Sequence, residues 1–293
     1  MSDPIRIGII GGSGLYQMDG VKILDEIRVE TPFGDPSDAV IVGEVETAHG
    51  PRKVAFLPRH GRGHAINPSR INVRANIWAL KSLGVFWLTS VSAVGSLREE
   101  IAPRDFVIPS QVIDRTKSRV NTFFDDIAVH ATFSYPFHPD MRKVLLEAAN
   151  VDGIKVHDGG IYVCMEGPLF STVAESNLHR SWGASIIGMT ALPEAKLARE
   201  AEMCYGCIAL ATDYDVWKED EHVTVEIVMG NLAANGANAQ RVIRRVVESI
   251  PLGTEESSEA FSALQYAIIT RPELIPQKTR DDLGLIIGKY VDA

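Results

Sequence analysis

The chain has 293 residues, of which 45% are hydrophobic and 23% are charged, and its formal net charge at pH 7 is −9. This composition is typical of a globular protein with a sizeable buried core. The negative charge argues against nucleic acid and anionic membranes as main partners. The first residues lack the basic and apolar segments of a signal peptide, and no apolar run reaches the roughly 20 residues that span a bilayer, which predicts a cytoplasmic protein with no membrane partner.

Strands and helices are predicted to alternate along the chain. Short apolar runs predict strands over residues 5–10, 54–57, 85–91, 160–165, 184–188 and 208–212. Helical spacing of apolar residues predicts helices over residues 71–83, 138–149, 172–182, 193–203 and 223–250. Gly230 and Gly236 each weaken the last helix by about 1 kcal/mol, which predicts a bend or break there. This order indicates an α/β fold, a single domain over residues 1–293 with a mixed central β-sheet flanked by helices, whose ligands bind at the carboxyl ends of the strands.

Two glycine-rich loops with hydroxyl side chains follow predicted strands and could hold an anion. In the first, GGSG at residues 11–14, the glycines let the backbone approach an anion closely and the Ser13 hydroxyl can donate a hydrogen bond. A plain tight turn explains this segment equally well. It is not a dinucleotide fingerprint, because Gln17 stands where the third glycine is needed. The second, SAVGS at residues 92–96, offers Ser92 and further backbone N–H donors.

A third loop, PRHGRGH at residues 58–64, concentrates basic side chains in an otherwise acidic chain. Arg59 offers a planar fork that suits phosphate, and His60 can donate a further hydrogen bond. The alternative is a solvated basic loop. Because all three loops follow strands, we expect one phosphate site built from them rather than three unrelated turns.

The segment MEGPLFST at residues 165–172 holds Phe170 on a loop constrained by glycine and proline. An aromatic ring there could stack on a flat ligand or simply pack in the core. Glu166 could bind sugar hydroxyls or form a local salt bridge.

Asp213 and Asp215 end an apolar run, and three roles are open to them. Two carboxylates could contribute to a metal site, but such a site usually needs further ligands. A desolvated Asp213 near Asp215 would have a raised pKa and could deliver a proton at neutral pH. Either residue could also cap a helix.

The three cysteines, Cys164, Cys204 and Cys207, include a CxxC pair. A redox pair or half of a zinc site is possible, but no second ligand pair lies nearby in the sequence and the CxxC leads into an apolar run. We therefore expect ordinary buried thiols and no metal.

Taken together, these segments resemble the trimeric purine-nucleoside phosphorylase family. The matching segments run in order from Ile7 to Trp217: IGIIGGSGLY, TPFGDPSDA, PRHGRGH, ANIWALKSLG, SAVGSLREEI, MEGPLFST, GMTALPEAKLAREAE and ATDYDVW. Each segment is weak evidence alone, but their ordered combination is highly specific.

The resemblance implies roles for individual residues. The implied phosphate-binding residues are Ser13, Arg59, His60, Ser92, Ala93 and Thr190. The implied substrate-binding residues are Met189 at the ribose, Phe170 and Tyr214 near the purine, and Asp213 and Asp215 at its N7 and amino edge. Ser171 and Val225 would set substrate choice, and His130 would contact the site of a neighbouring subunit. The family forms homo-oligomers, and a trimer and a dimer of trimers both stay open.

The expected reaction is phosphorolysis of S-methyl-5′-thioadenosine to adenine and 5-methylthioribose 1-phosphate. Inorganic phosphate is the co-substrate and attacks C1′, Asp213 protonates purine N7, and no cofactor or metal is needed. A carboxylate accepts from a 6-amino group and repels a 6-oxo group, which favours adenine. Val223, Val225 and Val228 suit an apolar 5′ group. The alternatives are a phosphorylase of methylthioinosine or another 6-oxopurine nucleoside, and a nucleoside-binding protein without catalysis.

Overall fold

The computed structural model describes residues 4–12, 20–218 and 223–291. Its strands are β1 (Ile7–Gly11), β2 (Val21–Ile27), β3 (Val40–Val45), β4 (Arg52–Pro58), β5 (Trp87–Ser96), β6 (Phe106–Ile108), β7 (Gln111–Arg115), β8 (Val156–Asp158), β9 (Ile161–Met165), β10 (Ile186–Gly188) and β11 (Cys204–Asp213). Its helices are α1 (Val73–Ser82), α2 (Pro139–Ala149), α3 (Val173–Ser181), α4 (Ala191–Glu200), α5 (Val225–Ser249) and α6 (Gln277–Val291).

The strands form one mixed sheet, which confirms the predicted fold class. Its main path runs β2-β3-β4-β1-β5-β10-β9-β7, and β11, β6 and β8 branch from β5. Strand β5 is the centre, because it pairs in parallel with β1 and β11 and antiparallel with the short β10. Strands β1, β4, β5 and β11 are mutually parallel, so their carboxyl ends meet at one edge of the sheet.

Helices cover both faces of this sheet. Apolar residues of α1, α4 and α6 pack on one face, and those of α2 and α5 pack on the other. Strand β11 is buried along its whole length and contributes alternately to both faces, with Cys207 on the first and Cys204 on the second. The three cysteines are free and buried, as expected for a chain without a disulfide framework.

Helix starts follow the local sequence signals. Thr172 and Glu175 form a reciprocal capping box at the start of α3. Asn72 caps α1, and its side chain accepts from the backbone N–H of Ala75. These caps explain why the predicted starts of these helices differ from the observed ones by only one or two residues.

The predicted bend in the last long helix is wrong, because α5 runs unbroken through Gly230 and Gly236. Its buried face, which includes Val242, Ile243 and Val246, packs against the sheet and outweighs the weak helix propensity of two glycines. Within the described residues, no helix combines the length and the apolarity needed to cross a membrane.

Candidate functional site

A cavity of about 500 Å³ lies at the shared carboxyl edge of the sheet. The C-terminal half of β5, the ends of β9, β10 and β11 and the residues that follow β1, β4, β9, β10 and β11 line it, and α5 closes one side. This is where ligands of open α/β sheets bind. Ten of the residues that were assigned a role at the site from the sequence line the cavity: Arg59, His60, Ser92, Ala93, Phe170, Met189, Thr190, Asp213, Asp215 and Val228.

Arg59 directly follows β4 and is almost fully buried. Its Nε and Nη2 atoms donate to the two carboxylate oxygens of Glu194, at 2.9 and 3.2 Å. Nη2 also donates to Ser90 Oγ and Ile10 O, and Nη1 donates to Val91 O. The guanidinium fork of Arg59, predicted to bind phosphate, therefore binds Glu194. Among the described residues, one of the two Nη1 hydrogens has no acceptor and can donate to a ligand in the cavity.

The Arg59–Glu194 pair is a buried ion pair with exposed fractions of 3% and 2% for the two side chains. Burial alone would lower the pKa of Arg59, but the adjacent Glu194 carboxylate outweighs it and holds that pKa above its ordinary value. Tyr205 OH donates to the same carboxylate at 2.9 Å. This pair fixes Arg59 against the cavity wall as a rigid, largely neutralised unit.

His60 is held in one tautomer by its backbone surroundings. Its Nδ1 atom lies 2.8 Å from Ile66 O, and since a carbonyl oxygen only accepts, Nδ1 carries the hydrogen. Burial lowers the pKa of His60 to about 4, so the ring is neutral near pH 7 and Nε2 has a free lone pair. The donor role predicted for His60 is thus corrected: in this state its second nitrogen accepts a hydrogen bond.

Two hydroxyls from separate loops meet in the cavity. Ser92 Oγ, within β5, lies 2.7 Å from Thr190 Oγ1, which precedes α4. The fully buried Tyr162 OH lies behind them, 3.5 Å from Ser92 Oγ. A Cβ at Gly188 would collide with that hydroxyl, which explains the glycine at this position. The pair supplies rotatable donors beside Arg59, as an oxyanion needs.

Asp213 ends β11 and is buried, with 8% of the residue exposed. Its Oδ2 accepts from Thr212 Oγ1 at 2.7 Å and its Oδ1 accepts from the backbone N–H of Asp215 at 2.8 Å. Burial raises the pKa of Asp213, although these two hydrogen bonds oppose the rise. Gly95 leaves room for this carboxyl, because a Cβ there would lie 2.9 Å from Asp213 Oδ1.

Asp215 lies next to Asp213 on a tight turn with a φ of +52°, a conformation that aspartate tolerates better than most residues. Burial raises the pKa of its carboxyl as well. Its Oδ2 atom is buried and no donor among the described residues lies within full hydrogen-bond distance, although the Ser176 and Ser171 hydroxyls and the Val216 N–H lie near enough to the carboxyl to oppose the rise in its pKa. Such an oxygen calls for a donor from a ligand. Neither aspartate caps a helix.

The rest of the cavity wall is mostly apolar, with His64 and Gln240 as its further polar side chains. Met189 and Phe170 line it, and Phe170 keeps 44% of its surface exposed. Helix α5 adds an apolar group of lining residues: Val228, Met229, Leu232, Ala233, Gly236 and Ala239. Glu166 instead accepts from the backbone N–H of Lys117 and pairs with Arg119, the local salt bridge that the sequence left open.

Four other predicted residues are described by the structure and do not line the cavity, and a fifth, Ser13, lies outside the described residues. Tyr214 packs edge-on against Trp217. Ser171 is buried with its hydroxyl 3.8 Å from Met165 Sδ. Val225 begins α5 with 66% of its surface exposed, one turn before the lining residues Val228 and Met229. His130 is exposed, and its backbone N–H donates to Ala267 O. The roles of these residues stay predictions.

Sequence reasoning missed Glu194 and Thr212, which hold Arg59 and Asp213 in place. The available signal for Glu194 was indirect: an arginine directly after a buried strand needs a counter-charge, and an acidic residue inside an apolar helix face could supply it. Nothing in the sequence singled out Thr212.

The chain is similar to known proteins along most of its length. A family model described as the phosphorylase superfamily matches residues 6–248. A curated relative from Geobacter sulfurreducens, named S-methyl-5′-thioadenosine phosphorylase, is 54% identical over 97% of this chain and 99% of its own. A methylthioadenosine phosphorylase from an Antarctic soil metagenomic library superposes with a TM-score of 0.89 at 45% identity, over 97% of this chain and 99% of that one. A mutant adenosine/methylthioadenosine phosphorylase from Schistosoma mansoni, in complex with adenine, superposes with a TM-score of 0.82 at 37% identity, over 89% and 97%.

Proposed function

The chain belongs to the phosphorylase superfamily, and we propose that it cleaves S-methyl-5′-thioadenosine with inorganic phosphate, giving adenine and 5-methylthioribose 1-phosphate. One observation carries the proposal: a single cavity joins an anion site of hydroxyls and Arg59 to two buried carboxyls under an apolar wall. Relatives about half identical over nearly their full length carry that activity in their names.

Phosphate is the proposed nucleophile. Ser92, Thr190 and the free Nη1 hydrogen of Arg59 bind its oxygens, and the Ala93 backbone lies beside them. The C1′–N9 bond breaks as a C1′–O bond to phosphate forms, and the bonding electron pair leaves with the purine. The phosphate charge stabilises the positive sugar in the transition state, and fixed donors hold it there without reorganisation.

Asp213 is the proposed acid. Its raised pKa favours the neutral carboxyl, which protonates purine N7 as the C1′–N9 bond breaks. Thr212 Oγ1 also lies 3.2 Å from Val94 O, so its hydroxyl can turn to that carbonyl and accept from a protonated Asp213. Stabilising the leaving purine in this way needs no redox step, and we propose that no cofactor or metal takes part.

Asp215 is the proposed reader of the base. Its unpartnered Oδ2 accepts from the 6-amino group of adenine, whereas a 6-oxo group would face the same oxygen without a donor. On the 5′ side, Val228, Met229 and Leu232 form an apolar wall for the methylthio group. Burying one methyl there contributes about 0.8 kcal/mol, and an unpartnered hydroxyl would cost roughly 1–3 kcal/mol.

We also propose a homo-oligomer, a trimer or a dimer of trimers. Large apolar side chains stay exposed near the cavity, including Leu169 at 82%, Val173 at 58% and Met229 at 56%, as expected for surfaces that a second subunit covers.

We propose a cytoplasmic location as well. The three free cysteines fit the reducing conditions of the cytoplasm.

Base release tests the substrate and the reaction together. We expect phosphate-dependent release of adenine, fastest from methylthioadenosine among methylthioadenosine, methylthioinosine, adenosine and inosine, with omission of phosphate as the control. Preference for the inosine compounds would keep the phosphate site and overturn the role given to Asp215. Release without phosphate would mean a hydrolase, and tight binding without release would mean a non-catalytic binding protein.

A substitution at His60 tests the phosphate site. Because Nε2 is an acceptor, it binds the O–H of hydrogen phosphate, and His60→Ala is expected to raise the KM for phosphate by about tenfold, the value of one hydrogen bond of about 1.4 kcal/mol. The KM for the nucleoside is the internal control and should stay nearly unchanged. An equal rise in the KM for phosphate and the KM for the nucleoside would show instead that the substitution changes the shape of the whole cavity.

The pH dependence of phosphate binding follows from the lowered pKa of His60. Since the ring is neutral above about pH 4, it does not change charge near the ordinary imidazole value. Phosphate KM profiles of the wild type and of His60→Gln should therefore have the same shape between about pH 6 and 8, around the ordinary histidine pKa of about 6.5. An inflection present only in the wild type would show that His60 titrates there.

A further inference from the structure

A cluster of potential metal ligands lies at the opposite end of β11 from the cavity. Cys204 begins this strand, and Asp213 ends it, about 30 Å away at the rise of an extended chain. His138 Nδ1 lies 3.3 Å from Cys204 Sγ and 3.5 Å from Asp140 Oδ2. The three ligand atoms all lie within 4.8 Å of one another.

This geometry is close to that of a tetrahedral zinc site. Zinc bonds of about 2.3 Å to sulfur and about 2.0–2.2 Å to nitrogen and oxygen separate neighbouring ligand atoms by about 3.3–3.6 Å. The two measured separations fall in this range. Thiolate, imidazole and carboxylate together suit Zn²⁺ rather than Mg²⁺ or Ca²⁺, which prefer oxygen ligands.

We propose that His138, Asp140 and Cys204 bind a Zn²⁺ ion that has no part in the reaction at the cavity. The three residues are the protein ligands, and water takes the fourth position on the side of Asp140, whose side chain is half exposed. The expectation that the cysteines are ordinary buried thiols holds for Cys207, which lies on the other face of the sheet.

The protonation states of the ligands allow this. His138 Nδ1 accepts from the backbone N–H of Asp140 and so caps α2, and a zinc ion would have to replace this hydrogen bond at the one lone pair of that nitrogen. Burial lowers the pKa of His138, which keeps the ring neutral. Burial raises the pKa of Cys204, so its thiol is protonated without metal. Binding therefore breaks the S–H bond, forms a Zn–S bond and releases one proton to solvent.

Some neighbouring groups favour cation binding at this site and others oppose it. Ser258 Oγ donates to Asp140 Oδ2 at 2.7 Å and orients that carboxylate, as outer hydrogen bonds do in metal sites. The negative charge of Glu259 favours a cation near His138, and the positive charge of Arg199 opposes it. A bound ion would join the start of α2 to the start of β11, and through Ser258 to the turn that follows α5, so it should stabilise the fold.

Cobalt is a suitable probe, because a thiolate bound to Co²⁺ absorbs in the near ultraviolet. We expect chelator-treated full-length protein to develop this absorption with one equivalent of Co²⁺ and to lose it when Zn²⁺ is added. Zn²⁺ should raise the melting temperature, and calorimetry in buffers of different ionisation enthalpy should report one proton released per ion.

Cys204→Ser should lose the absorption and the thermal shift, whereas the matched variant Cys207→Ser, on the same strand, should keep both. Asp140→Asn should weaken binding and keep the thiolate band. No band in the wild type, or a band that survives in Cys204→Ser, would overturn the proposal. If Cys204→Ser does not fold, the wild-type titration and Cys207→Ser still decide, because a band lost in Cys207→Ser would place the metal elsewhere.

Discussion

Asp213→Asn is expected to lower kcat for S-methyl-5′-thioadenosine by about 10²- to 10⁴-fold, the usual contribution of a positioned general acid. The asparagine keeps the size of the side chain, and its one oxygen can still accept from the Asp215 N–H. Its NH2 group then faces Thr212 Oγ1, which can turn to Val94 O and accept from that NH2 group. The asparagine has no acidic proton to give to purine N7. The KM for the nucleoside should change little, because the loss falls on the transition state rather than on binding.

The pH dependence of kcat also tests the role of Asp213, because the role predicts the direction of the change. Burial raises the pKa of Asp213, and the neutral carboxyl is the active form, so kcat should fall as pH rises through that pKa. The same falling limb should be absent from the profile of Asp213→Asn. Asp215→Asn is the matched control, since it should raise the KM and relax the preference for adenine while it keeps the falling limb. Full turnover by Asp213→Asn would remove Asp213 from the acid role.

The sequence located most of the site because each of its loops carries a local signal. Hydroxyls and glycines follow the apolar start of β5, basic residues follow β4 and paired aspartates stand at the end of β11, and all are readable from adjacent residues. The SAVGS segment, predicted as a loop after a strand, is itself part of β5. Parallel strand order then places their carboxyl ends together, so the cavity follows once the strands are assigned. Buried apolar runs such as those of β1 and β11 made these strands easy to assign.

Features that depend on distant contacts could not be predicted in this way. The partner of Arg59 lies 135 positions away along the chain, and the tautomer of His60 depends on a loop carbonyl of Ile66. Strand β2 was missed because its residues are mostly exposed and include charged side chains, so it has no buried apolar run. Strand β8, Val156–Asp158, contains a histidine and an aspartate and has no apolar run, and β6 is only three residues long. The loop after β4 suggested a free arginine, and only the fold supplies its counter-charge.

Removing the charge of Glu194, the counter-charge of Arg59, is expected to have the largest effect on stability. Glu194→Gln should lower the free energy of unfolding by about 3–5 kcal/mol, since it leaves the buried Arg59 without its anion. Glutamine keeps the volume, but its single oxygen replaces two accepting oxygens, so the loss reports the charge together with the hydrogen bonds that the second oxygen accepts. Thermal and denaturant unfolding without phosphate measure it. The matched control is Glu200→Gln on the same helix, which should change stability far less, because burial already raises the pKa of Glu200 to about 7.

Phosphate should restore part of the stability that Glu194→Gln loses. In the wild type, Glu194 neutralises Arg59, and the proposed phosphate would gain one hydrogen bond from the Nη1 hydrogen that does not bind Val91 O. In the variant, phosphate becomes the only counter-ion within reach of the buried guanidinium, so its binding is coupled to a larger share of the folding free energy. The rise in melting temperature at a fixed phosphate concentration should therefore be greater in Glu194→Gln than in the wild type or in Glu200→Gln. An equal rise in all three would mean that phosphate binds away from Arg59, and the anion site would then have to rest on Ser92 and Thr190 alone.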